Sequence, residues 1–169
     1  SDTMEGRETG KPGEEKASAW IDSVFASQGL KAFGEESSYQ SFQYKPHQPM
    51  QMHGHGDSSS LGMALVQEIN GKNVLYALPQ QNKRWGIVGA HYDHLGYGDE
   101  NSLFRGESKI HNGADDNASG VAGMLALSKS LKQSKGDKSM LFAAFSGEEK
   151  GLWGSNQFCK SPTIPLDSV

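Results

Sequence analysis

The run Ser139-Met140-Leu141-Phe142-Ala143-Ala144-Phe145 is apolar along nearly its whole length, with Gly136-Asp137 before it and Ser146-Gly147 after it as turn signals. A half-exposed strand would alternate and an amphipathic helix would show a polar face, so this short apolar run reads as a strand covered on both faces. Upstream, Val121, Met124, Leu125, Ser128 and Leu131 mark one face of a helix over 118–134. Two further apolar runs, 73–78 and 85–91, flank the polar stretch 79–84 and read as an antiparallel pair joined by a short loop. Strand, helix, strand in this order implies a right-handed crossover. The expected fold is therefore α/β, a mixed sheet sandwiched by helices.

Nearer the N-terminus, Ala17, Trp20, Ile21, Val24 and Phe25 recur at the helical period, which predicts a helix over 14–27 with Gly29 as its stop. From 34 to 61 the chain is rich in Ser, Gln, Gly and His and is interrupted by Pro46 and Pro49, so it reads as loop with a strand around 39–44. His47, His53 and His55 fall in this stretch and read as a solvated loop rather than a metal site.

With 169 residues the chain suits one domain. The balance of 16 Lys+Arg against 20 Asp+Glu gives −4 with no basic patch, which argues against nucleic acid as a partner. No apolar run reaches the length of a membrane helix, and the start Ser1-Asp2-Thr3-Met4 lacks the regions of a signal peptide. Because Ser1 is not Met, the expectation is an exported protein, periplasmic or extracellular, whose signal has been removed. Cys159 is the only cysteine, so internal disulfides and thiolate-rich zinc sites are excluded and any metal must be held by His and carboxylates.

Three clusters fall at the ends of predicted elements: His91-Tyr92-Asp93-His94, Asp115-Asp116-Asn117 and Glu148-Glu149. Ligands of open α/β sheets bind outside the carboxyl ends of the strands, so these clusters are expected at one crevice. His91 and Asp93 are two residues apart and project to one side of an extended strand. They read equally as a metal ligand with the carboxylate that orients it or as a hydrogen-bonded core His beside a surface Asp. Asp115-Asp116 taken alone reads better as helix capping. Glu148-Glu149 after a buried strand gains nothing structurally, whereas one ligand and one general base explains it.

Taken together, the segments 89–96 (Gly-Ala-His-Tyr-Asp-His-Leu-Gly), 112–120 (Asn-Gly-Ala-Asp-Asp-Asn-Ala-Ser-Gly) and 146–155 (Ser-Gly-Glu-Glu-Lys-Gly-Leu-Trp-Gly-Ser) resemble the first three metal-site motifs of M28 aminopeptidases, in order. The lead 4–10 also resembles the N-terminal region of bacterial members. The resemblance implies a zinc-exopeptidase fold of the phosphorylase/hydrolase-like type, spanning 1–169 as one incomplete domain. Its parts would be an N-terminal helical segment (1–35), a variable loop region (36–70) and a metal-site core (71–169). By motif position His91 would bind one zinc, Asp115 would bridge two, Glu149 would bind the other, and Glu148 would be the general base. Asp93 would stand behind His91 as part of the catalytic set, and Asp116 would shape the turn.

The implied function is hydrolysis of N-terminal residues from peptides by a metal-dependent aminopeptidase with two zinc ions. Family members take a further Asp and a final His from later in the chain than Val169, so this chain alone is expected to hold zinc poorly, to be inactive, and to self-associate through an exposed sheet edge. The competing expectations are a glutaminyl-cyclase-like enzyme with a single zinc and a non-catalytic binding module on the same fold.

Overall fold

The computed structural model describes residues 2–35, 37–45, 68–98, 102–134 and 136–169. His47, His53 and His55 lie outside the described residues. The described strands are β1 (Lys31–Ala32), β2 (Tyr39–Tyr44), β3 (Ile69–Leu78), β4 (Trp85–His91) and β5 (Ser139–Phe145). They form one sheet in the order β1-β3-β5-β4, with β2 also paired to β3.

The central place of β5 follows from its composition. Leu141, Phe142, Ala143 and Ala144 are all 0 % exposed. Phe142 and Ala144 join one core with Ile21, Phe25, Val74, Tyr76, Val121 and Met124, while Leu141 and Ala143 join another with Leu75, Phe158 and Ile164. An apolar strand with no polar face is stable only where both faces are covered.

The expected hairpin between 73–78 and 85–91 is not formed. β5 lies between them, antiparallel to β3 (Leu75 opposite Ala143) and parallel to β4 (Val88 opposite Phe142). Linking two parallel neighbours requires a crossover rather than a turn, and helix α2 (Gly120–Gln133) supplies it. The two runs keep opposite directions because each pairs with β5 in its own sense.

The N-terminal helix α1 runs Pro12–Ser27, with proline in its first turn and Glu14 and Glu15 near its N-terminus, where the dipole favours acids. Gly29 ends it at φ +68°, as expected of a residue that must enter the left-handed region. Ala17, Ile21 and Phe25 point into the core, and the Phe25 ring lies 5.1 Å from that of Tyr76 and 6.0 Å from that of Phe142. Truncating a ring so placed to alanine costs about 3–5 kcal/mol. The helix α3 (Trp153–Lys160) covers the opposite face of the sheet through Phe158, so helices lie on both sides.

Helix α2 begins two residues later than the expected Ala118. A wide turn over Ala114–Ser119 precedes it, entered through Gly113 in the left-handed region (φ +52°), and its Asp116–Asn117 peptide is cis. Asp116 itself is extended (φ −107°, ψ 95°), which interrupts the helical course. None of the described helices is long and apolar enough to cross a membrane.

Candidate metal centre

The register of the parallel pair sets His91 beside Phe145, so β4 and β5 end side by side at their carboxyl ends. Beyond His91 the chain is pinned: Tyr92 N–H donates to Phe145 O at 2.9 Å and the buried Tyr92 hydroxyl donates to Lys72 O at 2.6 Å. Asp93 is fully buried. It accepts the Thr9 hydroxyl at 3.1 Å, the Glu148 N–H at 3.2 Å and the Glu149 N–H at 3.3 Å. One side chain at the end of β4 thus fixes the backbone that carries both glutamates after β5.

His91 faces this group. Its Nε2 lies 2.9 Å from Asp116 Oδ1 and 3.9 Å from Glu148 Oε2. Its Nδ1 is 3.3 Å from the Asp93 carbonyl oxygen and 3.6 Å from Asp93 Oδ1, so the carboxylate acts on the ring at ion-pair distance and the nearer acceptor is the carbonyl. Burial opposes the imidazolium, but Asp93 and the charges of Glu148 and Asp116 outweigh it and raise the His91 pKa to about 9. The Glu148 carboxyl is also pushed up, first by burial and then by the charges of Glu149, Asp93 and Asp116, against the lowering effect of His91. Neighbouring carboxylates contribute to both shifts, while burial is the larger cause at Glu148.

Two overlapping sets of donors result. His91, Glu148 and Glu149 form one and His94, Asp116 and Glu149 the other, each with its ligand atoms within 4.8 Å of one another. One imidazole with two carboxylates in each is a donor set that suits zinc. Cys159, exposed on α3, belongs to neither set.

Of the residues singled out in the sequence, His91, Asp93, Glu148 and Glu149 come together. Asp115 does not join either donor set among the described residues; its neighbour Asp116 takes that place. The reason is the extended backbone at Asp116, which turns its carboxylate to His91. Adjacent acids in one turn carry nothing in the sequence to say which side chain faces inward.

The polar lead, noted in the sequence for its likeness to bacterial members but given no role there, also supports the centre. Arg7 is buried, and its guanidinium donates to three carbonyls: Tyr92 O at 2.6 Å, Asn112 O at 2.7 Å and Gly113 O at 3.0 Å. The Arg7 carbonyl accepts His94 N–H at 3.1 Å and the Gly6 carbonyl accepts Gly96 N–H at 3.0 Å. Gly6 at φ +68° has no room for a side chain, since a Cβ would run into the Gly96 backbone. The segment 2–7 therefore fastens the loop after β4 to the turn before α2. Nearby, buried Glu14 gathers Gly10 N–H, the Ser146 hydroxyl and the Tyr92 hydroxyl behind the centre.

Imidazole and carboxylate donors collected at adjacent strand ends of an α/β sheet make a candidate metal centre. Residues 73–169, more than half of the chain, match the model of Peptidase family M28, and the chain belongs to that family. It is 33 % identical over 94 residues to a probable leucine aminopeptidase of Arthroderma otae, a match covering 52 % of this chain and 24 % of the relative. The chain thus spans about a quarter of the length of the curated relatives it matches. Its fold is similar to that of Fimbriiglobus ruber glutaminyl cyclase (TM-score 0.67, 21 % identity, covering 94 % of this chain and 50 % of that one). It is also similar to a Zn-dependent exopeptidase from Parabacteroides distasonis (TM-score 0.67, 16 % identity, 96 % and 53 %).

Proposed function

We propose that the protein is a zinc aminopeptidase that removes N-terminal residues from peptides, with His91, Asp116 and Glu149 as metal ligands and Glu148 as general base. The observation that carries this reading is the convergence of those four side chains at the ends of β4 and β5 and the turn between them. The overlap of the two donor sets through Glu149 supports two ions, with Asp116 rather than Asp115 in the second set. Zinc supplies a water of lowered pKa and polarises the scissile carbonyl.

The chain's own residues do the rest. Glu148, beside His91 and with its backbone N–H held by Asp93, is placed to take a proton from water and hand it to the leaving amine. Positioned acid–base help of this kind contributes about 10²- to 10⁴-fold. Asp93 aligns the His91 ring from behind and keeps Glu148 and Glu149 in register with it.

A cyclase reading shares the fold, since solved structures of both kinds are similar to this chain. The likeness to leucine aminopeptidases favours peptide hydrolysis. The test is a pair of substitutions in the protein, with zinc content and turnover of leucine p-nitroanilide measured side by side. Glu148→Gln is expected to keep its zinc while kcat falls by about 10²-fold or more, and Glu149→Gln to lose zinc. The reverse pattern would exchange base and ligand. Conversion of N-terminal glutamine to a lactam with no leucine released would replace the aminopeptidase by the cyclase.

A further inference from the structure

We infer that Leu103 and Phe104 form a docking surface for apolar side chains at the third and fourth residues of a peptide substrate. The inference rests on the aminopeptidase reading and names which peptides that site prefers. Residues 102–111 lead into the turn before α2 and carry two large apolar side chains in water: Leu103 is 92 % exposed and Phe104 51 %. Scattered apolar residues on a surface are ordinary, but these are held in place. The His111 N–H donates to Gly96 O at 2.7 Å, and its ring Nδ1–H donates to Lys109 O at 2.8 Å, which leaves Nε2 to accept the Ser102 hydroxyl at 2.7 Å. The Phe104 N–H in turn donates to Ser102 Oγ at 3.1 Å. Gly106 packs on the Phe104 ring, where any Cβ would strike it, and Lys109 Nζ lies 5.7 Å from the ring centroid.

The place of this surface fixes what it meets. The His111 ring lies 6.5 Å from that of His94, a member of the second donor set, and 6.5 Å from that of Phe104. Phe104 is thus set off from the centre by a whole imidazole, and it lies no farther than twice that distance from His94. In an aminopeptidase only one residue lies on the amino side of the bond that breaks, so a surface at this remove faces the leaving side. An extended peptide advances about 3.3–3.6 Å per residue, which carries its third and fourth residues about 7 and 10 Å beyond the first. Those are the residues that come level with the loop. Charge agrees with this direction: exposed Arg105 and Lys109 flank Phe104 in the loop against one acid, Glu107, and suit the carboxylate at the far end of a short peptide. Because the loop is already braced by its own hydrogen bonds, docking requires little further ordering.

The test compares turnover of Leu-Gly-Leu-Leu, Leu-Gly-Gly-Gly and leucinamide by the parent, Leu103→Ser and Phe104→Ser. Binding of both tetrapeptides is measured by calorimetry after their first amide is reduced to CH₂–NH. The parent is expected to favour the apolar tetrapeptide by about 10-fold in kcat/KM, chiefly through KM, and each variant to lose most of that preference. Leucinamide, which ends before the surface, should turn over equally in all three proteins. Leu103, almost wholly in water, has little packing to lose in the free protein, so its variant keeps the parent's fold. Equal treatment of the two tetrapeptides by the parent, a preference that survives in both variants, or a parallel loss on leucinamide would overturn the docking role. If the parent turns over none of the substrates, the aminopeptidase reading fails and the reduced peptides decide alone. Tighter binding of the apolar one by the parent, lost in Leu103→Ser, would then uphold the surface, and equal binding would overturn it.

Discussion

Asp93 and Glu149 are joined by a hydrogen bond from the Glu149 N–H to Asp93 Oδ2 at 3.3 Å, while Asp93 Oδ1 accepts the Glu148 N–H at 3.2 Å. Both oxygens of a buried carboxylate are thus committed to the backbone. In Asp93→Asn one oxygen becomes an NH₂ group that cannot accept, and one buried N–H is orphaned. The expected cost is about 1–3 kcal/mol of stability, read as a lower urea midpoint at unchanged slope. Zinc affinity should fall about 10- to 100-fold, as for loss of a group that orients a ligand. Unchanged stability together with unchanged affinity would remove Asp93 from this role.

Arg7→Met keeps the length of the side chain and removes the donors to Tyr92, Asn112 and Gly113. Three carbonyls then lose partners, at about 1–3 kcal/mol for each that water does not reach. Arg7→Lys should recover only part of the loss, because an ammonium has no planar fork. Denaturant unfolding of the parent and both variants tests the order parent, Lys, Met. A Lys variant equal to the parent would show that one of the three bonds does all the holding.

Glu14 titrates against its surroundings. Burial raises its pKa above the ordinary 4.5, and the charge of Asp93 adds to this, while bonds from Ser146 and Gly10 work the other way. The Tyr92 hydroxyl, whose shorter bond goes to Lys72 O at 2.6 Å, also reaches Glu14 Oε1 at 3.2 Å and works against the shift. A raised acid pKa in the folded state means that the native protein binds the proton more tightly than the unfolded chain. The associated stability is full below about pH 4.5 and is lost as pH rises through the native pKa. Glu14→Gln, an uncharged stand-in of the same shape, should therefore gain on the parent as pH rises from 4.5 to 7. Parallel stability curves over that range would show that folding leaves the Glu14 pKa unshifted.

Asp116→Asn and Asp115→Asn separate the two adjacent acids. The first removes a charge 2.9 Å from His91 Nε2 and is expected to lower zinc content, whereas the second lies outside both donor sets and should leave it unchanged. Metal analysis of the two purified variants decides the matter, and loss of zinc in Asp115→Asn alone would restore the assignment drawn from motif position.

What the sequence revealed and what it hid have physical causes. The strand Ser139–Phe145 was legible because burial on both faces leaves no polar position to mislead. The face of α1 was legible because Ala17, Ile21 and Phe25 share one side of a regular helix. The pairing of 73–78 with 85–91 was misread because chain proximity is a local signal, whereas the partner of both arrives with residue 139. Which of Asp115 and Asp116 faces inward is not legible in the sequence for the opposite reason, since that choice rests on the backbone angles of one turn. Arg7 left no signal, because in the sequence a buried guanidinium in a polar lead is the same as an exposed one.

The placement of β5 between β3 and β4 also sets an order of events during synthesis. β3 can join β1 and β2 as soon as it emerges, because those partners precede it. Among the described strands, β4 has no neighbour to pair with until Phe145 follows, 54 residues after His91. At the usual pace of the ribosome this is a wait of about 3 to 11 s. Throughout it, Ile87 and Val88 travel without the strand that later pairs with them, and this wait falls between the synthesis of the first metal-site cluster and the last.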